Sequence, residues 1–221
     1  MDQAEAHDLL WTKYLDASSR LHDLERYLEH TQAYLHREQT YFRDEAHPDL
    51  AIEFLPLYGE TFPPILHASV IVLVAMLLEQ EVRELAGTLI AALDLKVKFN
   101  DLAGSVLDRF RTLATKVVGL NLEDTRVQWA DLVGLFELRN CIVHSQGVLA
   151  DFQRSAVVST FASKHEPSLL VEGQAVPTDQ TSRIAVRIAS RFLLVAYASA
   201  LQHCPGPNTD SVVRALQREE W

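Results

Sequence analysis

The chain has 221 residues, 48% hydrophobic and 23% charged, which fits one ordinary soluble domain with a core that needs no covalent staples. Its two cysteines, Cys141 and Cys204, exclude a disulfide framework and point to a reducing, cytoplasmic setting. A formal net charge of -10 argues against simple nucleic-acid binding, although residues 1–60 carry 13 acids against 5 bases and residues 61–221 carry 17 against 15, so the acidity is mostly local to the first segment.

The N-terminal stretch MDQAEAHDLLWTKY has no basic start followed by an apolar run, so no secretion signal is expected. Over residues 3–45, Leu9, Leu10, Tyr14, Leu21, Leu24, Leu28 and Leu35 recur at near-helical spacing. They predict one long helix, or two end to end, closed by His47-Pro48. Pro56, Gly59, Pro63 and Pro64 predict a connecting loop over residues 48–64. Pro63-Pro64 then opens a second helix to about residue 93, since proline in the first turn loses no needed N–H. The apolar run 68–78 inside it, interrupted only by Ser69, is about half of the roughly 20 residues a membrane span needs, so a buried core helix and no membrane are expected. A third helix over about 100–118 should stop at Gly119, and NLEDT (121–125) offers capping side chains for a fourth over about 125–146, ending near Gly147.

From residue 155 the pattern changes. SAVVSTF and SLLVEGQAV are short and β-branched, separated by ASKHEP, and predict a small hairpin over about 155–176. Thr178 or Asp179 can cap a fifth helix over about 180–203, and Cys204-Pro-Gly-Pro breaks the chain before a tail, 205–221, that forms a short helix or frays. The expected architecture is therefore mainly all-α. It has about five helices in one bundle over 1–204, with an acidic N-terminal helix and loop (1–60), a core (65–203) and a β appendage.

The fourth helix carries unusual residues for a buried element: LFELRNCIVHSQG, with Arg139, Asn140 and His144. At about 100° per residue, Leu135, Leu138 and Ile142 share a core face, while Glu137, Asn140 and His144 lie nearly opposite. Asn140 and His144 are an i,i+4 pair. Arg139 and His144 diverge by about 140°, so a distorted last turn near Ser145–Gly147, or a second copy of the helix, is needed to bring both types to one substrate. The plain alternative is that Asn140 and His144 are exposed polar groups and that Arg139 pairs with Glu137 or caps a neighbouring helix.

ELRNCIVHSQG resembles the R-x4–6-H signature of the HEPN superfamily of helical domains, with Asn140 as the polar residue that usually follows the arginine and His144 after four intervening residues. The run ASVIVLVAMLLEQEVRELA is similar to that superfamily's long apolar helix, and a hairpin before the last helix resembles its prokaryotic members. The similarity spans roughly residues 65–203. One departure stands out: toxins of this type that pair with nucleotidyltransferase partners carry a tyrosine two places after the histidine, where this chain has Gln146.

The resemblance implies a metal-independent endoribonuclease of toxin or antiviral-defence type. It would act on RNA as a homodimer, without cofactor, with an antitoxin or regulatory protein as a further partner. The chemistry is sound in itself. RNA supplies its own nucleophile, the 2′-OH beside each phosphate. Histidine suits both proton removal and proton delivery. A guanidinium holds two oxygens of the charged phosphorane at once. Arg139, Asn140 and His144 are the catalytic candidates, with Glu137 and Ser145 in support. Arg183, Arg187 and Arg191, at strict i,i+4 spacing on the last helix, form a basic stripe for RNA phosphates or, on the plainer reading, a solvated face or ion pairs to the acidic first helix. Among the nine histidines, His22, His30 and His36 are spaced by eight and six and do not stack, and there is no H-E-x-x-H or C-x-x-C, so no metal is expected. Cys141 is expected to be a small core residue rather than a nucleophile. The alternative from another class is a non-catalytic dimerisation or partner-binding module of the same fold, which the acidity favours.

Overall fold

The computed structural model describes residues 2–122, 128–206, 209 and 213. The protein is mainly helical: α1 (Gln3–Asp44), α2 (Pro48–Pro56), α3 (Phe62–Ala92), α4 (Val106–Arg111), α5 (Trp129–Ser145), α6 (Ser155–His165) and α7 (Asp179–His203), with a two-stranded antiparallel hairpin, β1 (Leu170–Val171) and β2 (Gln174–Ala175), before α7. The NLEDT caps from Glu123 onward, and nearly all of the tail beyond Gly206, lie outside the described residues.

Three segments depart from the sequence expectation; the smallest departure is the third helix, which begins at Val106, where Ser105 caps it, and not near residue 100. Residues 48–64 are not a loop. His47 caps α2 through its ring nitrogen, Pro48 occupies the first turn, and a π-wound turn, Leu57–Thr61, leads directly into α3. The reason lies in Pro63 and Pro64, which have no N–H to give to the carbonyls one turn back. A wider turn, in which the Phe62 N–H reaches the Leu57 carbonyl, absorbs the mismatch without ending the helix. Helical structure therefore runs almost unbroken from Pro48 to Ala92. That stretch and Asp179–His203 are both long and apolar enough to cross a membrane, with 39% and 72% of their apolar windows buried inside the protein. A core helix of a water-soluble bundle passes the same test.

The remaining departure is SAVVSTF, which is the start of α6 and not a strand. Its buried residues, Val158, Phe161 and Ala162, fall at helical spacing, and that periodicity outweighs the β-branched composition. The hairpin forms wholly within SLLVEGQAV. Leu170 pairs with Ala175 and Val171 with Gln174, around a two-residue turn in which Glu172 and Gly173 both have positive φ, 50° and 81°.

The fold divides into two compact units. The first comprises residues 1–21, 76–132 and 187–221. Leu10, Tyr14, Leu78, Leu85, Phe110, Leu132, Tyr197 and Leu201 are among its buried residues, with the Phe192 ring edge-on to Phe110 and Trp129. Gly119, at φ 85°, ends the π-wound Thr112–Val118 as expected. Glu81, 2% exposed, accepts a hydrogen bond from the Tyr197 hydroxyl at 3.0 Å, with Arg20 Nη1 at 3.7 Å.

Burial pushes the Glu81 carboxyl above its ordinary range, and the Tyr197 hydrogen bond only partly opposes this. The folded chain therefore keeps a proton that the unfolded chain has already released. The stabilisation is complete below the ordinary carboxylate range and is lost as pH rises through the folded value. Glu81→Gln, which keeps an acceptor for Tyr197, should raise Tm at pH 8 by about 2–4 °C, the equivalent of about 1 kcal/mol at this chain length, with the gain shrinking toward pH 4. Melting curves across that range check it, and a gain independent of pH would rule out the buried charge as its source.

The second unit comprises residues 22–75 and 133–186. Its buried residues include Leu28, Leu66, Ile71, Leu135, Leu138, Cys141, Phe161 and Ile184. Phe42 stacks on Phe54 and on Tyr58 where α1, α2 and the π turn meet, and Phe62 meets Tyr58 edge-on. Thr178 stands at the start of α7, where its Oγ1 accepts from the Thr181 N–H at 3.4 Å. It also donates at 2.5 Å to the buried Glu166 carboxylate, which takes further hydroxyls from Ser168 and Thr181. His67 faces the Ser182 hydroxyl at 3.2 Å, and burial lowers its pKa despite nearby Asp179 and Glu166.

Candidate functional site

The site is built on the last turns of α5, in the second unit. Leu135, Leu138 and Cys141 anchor the inner face, fully buried, with Ile142 at its margin. Burial pushes the Cys141 thiol up, away from nucleophilic use. Gly134 allows close packing against α6: a β-carbon there would lie 2.5–2.9 Å from the Phe161 side chain.

On the open side stand the motif residues. His144 is exposed and makes no hydrogen bond or ion pair with another described residue. Val143 beside it is 47% exposed, and Phe136 and Asn140 are half-buried. Arg139 is half-buried at the edge of this stripe and donates from Nη1 to Asn140 Oδ1 at 2.9 Å. Its Nε is buried with no hydrogen-bond partner among the described residues. Asn140 thus holds Arg139 by its side-chain oxygen. The Asn140 amide N–H groups remain available as donors.

The end of α5 is held tightly. Gln146 and Gly147 both take positive φ, 51° and 83°, and the Gly147 N–H reaches back to the Cys141 carbonyl at 3.1 Å. The distortion falls at Gln146 and Gly147, after His144, so Arg139 and His144 both stay within the helical span of α5, about 140° apart around it, and the turn does not bring them together. The hairpin then clamps it. Ala175 N–H donates to the Gly147 carbonyl at 2.8 Å, Leu149 N–H to the Gly173 carbonyl at 3.0 Å, and the Gln174 side chain to the Gln146 carbonyl at 3.0 Å. Val148 forms an isolated antiparallel bridge with Gln174, which ties the segment after α5 to the hairpin.

The supporting candidates distribute differently. Glu137 is buried and its carboxylate pairs with neither Arg139 nor His144; it accepts from Arg154 Nη1 at 2.5 Å. Ser145 is half-buried and its carbonyl accepts the Val148 N–H at 2.8 Å. Arg183 is engaged by Asp179 at 2.9 Å and by Glu29 of α1 at 3.5 Å, the ion-pair arrangement set out as the plainer reading. Those carboxylates raise its pKa further. Arg187 and Arg191 belong to the first unit; Arg187 is exposed and Arg191 half-buried. Among the described residues no three His, Cys, Asp or Glu side chains gather as a metal site.

Arg154 is the residue that the sequence reading missed. Reading SAVVSTF as a strand hid the helical frame that sets Arg154 at the entry to α6, and only the fold brings it to Glu137. In comparisons with family models, characterised proteins and solved structures, nothing matches the chain.

Proposed function

We propose that the protein is a metal-independent endoribonuclease of the HEPN type, working as a homodimer. The observation that carries this reading is the open end of α5: an exposed, unengaged imidazole at His144 and, just over one turn back on the same helix, an arginine that Asn140 holds through Nη1, with the helix end fixed by the hairpin. Half-exposed apolar residues on the same stripe, Phe136 and Val143, offer a surface for the α5 helix of a second copy. Two copies meeting there would bring two imidazoles and two guanidinium groups to one substrate strand.

In the reaction, one His144 takes the proton of a 2′-OH as its oxygen attacks the adjacent phosphorus. The P–O5′ bond breaks, and the partner's His144 protonates the departing 5′-oxygen. The products are a 2′,3′-cyclic phosphate and a free 5′-hydroxyl. Arg139 spreads two N–H donors over the phosphorane oxygens, whose negative charge is greatest in the transition state. Incubating the purified chain with total RNA in excess EDTA should yield fragments that end in cyclic phosphate, with the protein eluting as a dimer. Cleavage abolished by EDTA, or no cleavage at all, would remove the reading.

A second reading, a partner-binding module of the same fold, is favoured by the net charge of -10 and by Arg183 being taken up by Glu29 and Asp179. A stable dimer that leaves RNA intact would support it.

A further inference from the structure

The geometry points to Arg154 as a second phosphate-binding residue of the same site, with Glu137 as the residue that positions it. This rests on the ribonuclease reading and extends it from the cleaved phosphate to a neighbouring phosphate of the same strand.

Glu137 and His144 are seven residues apart on α5, which places them about 20° apart around the helix and about 10 Å apart along it. The carboxylate of Glu137 is almost fully enclosed, while the side chain of Arg154 remains 54% exposed although its Nη1 lies 2.5 Å from Glu137 Oε1. A surface ion pair between two mobile chains would contribute little. Here the acid is buried, and the cation is held through Nη1 while about half of its side chain stays exposed. That is how an arginine is pre-organised for a second oxyanion, since one guanidinium carries five donors and Glu137 takes only part of them. Arg139 lies on the other margin of the open stripe, so the two guanidinium groups flank Asn140 and His144. A strand laid across His144 would meet a cation on each side. With Arg183 taken up by acids, Arg154 supplies in the second unit the positive charge near the motif that Arg183 does not.

The test is the affinity of a labelled single-stranded RNA oligonucleotide for the full chain in the cleavage-inactive His144→Ala background, with and without Arg154→Ala, across a salt series. Removing Arg154 should weaken binding about five- to twentyfold and make the slope of log K against log salt shallower by about 0.7. Arg154→Lys should recover most of the affinity as a point charge, and Glu137→Gln should show an intermediate loss. In the chain with His144 intact, Arg154→Ala should raise KM with kcat little changed, assayed well below a melting temperature that the unpaired, buried Glu137 lowers, with the helical signal there as in the parent. Equal affinity and equal salt slope with and without Arg154 would overturn the assignment even if the chain cleaves RNA. So would a loss of affinity that appears only as the variant approaches its own melting temperature. An intact chain that cleaves no RNA overturns the ribonuclease reading instead, which separates the two failures.

Discussion

His144→Ala should lower RNA cleavage by about 10²–10⁴-fold, the range that a positioned general acid or base contributes, while leaving the fold unchanged. The two parts of this expectation come from the same fact. An exposed imidazole with no partner among the described residues does not hold the structure together, so its removal should move stability by no more than about 0.5 kcal/mol. Any loss of activity then belongs to chemistry. Arg139→Ala should cost about 10²–10³-fold, the scale seen when a transition-state donor is deleted. Arg139→Lys should recover little of it, because an ammonium keeps the charge but loses the planar fork that Asn140 holds by one edge. Asn140→Ala should produce a smaller loss, about tenfold, as expected for one charge-assisted bond of roughly 1.5 kcal/mol. Cleavage assays on a defined oligonucleotide, paired with circular dichroism melts, check all four. If the alanine variant at either His144 or Arg139 retains full activity, the proposed mechanism is wrong.

The parts of this structure that were legible in the sequence are those governed by local rules. The leucine spacing along residues 3–45 became α1, Gly119 stopped the turn before it, and Thr178 stood at the start of α7 because hydroxyl and glycine preferences act within a turn of the chain. The motif residues were visible because a buried-looking helix has no use for Arg139, Asn140 and His144 in its last turns. What stayed hidden depended on competition between rules or on distance in sequence. Prolines 56, 63 and 64 signal a break, yet one wider turn lets the helix continue through them. The β-branched SAVVSTF signals a strand, yet burial at helical spacing against Gly134 decides for α6. Glu137 looked available to Arg139 or His144 because both lie on its own helix, whereas its partner lies 17 residues away on the next element. No local rule reports such a pairing.

The hairpin's role as a clamp leads to the largest expected effect on stability. Gly147→Ala should cost about 2–4 kcal/mol and lower Tm by about 5–15 °C. Two independent penalties combine. At φ 83° a side chain is strained, by about 1–2 kcal/mol for an ordinary L residue. The added β-carbon would also lie 2.6 Å from the Ala175 carbonyl oxygen, a backbone atom that cannot swing aside as a flexible side chain would. Relief requires β2 to move, and β2 is bound to the same segment through the bond from Ala175 N–H to the Gly147 carbonyl. Gly173 is the internal control. It has nearly the same φ, 81°, but open space around a β-carbon, so Gly173→Ala should show only the conformational part, about 1 kcal/mol. Cleavage should fall more in the Gly147 variant than in the Gly173 variant, even well below its Tm. The bonds lost at Gly147 are those that set the direction of the α5 end, and with it the place of His144. Equal melting temperatures for the two variants would mean that the contact with Ala175 is not a constraint, and the hairpin would lose its part in positioning the site.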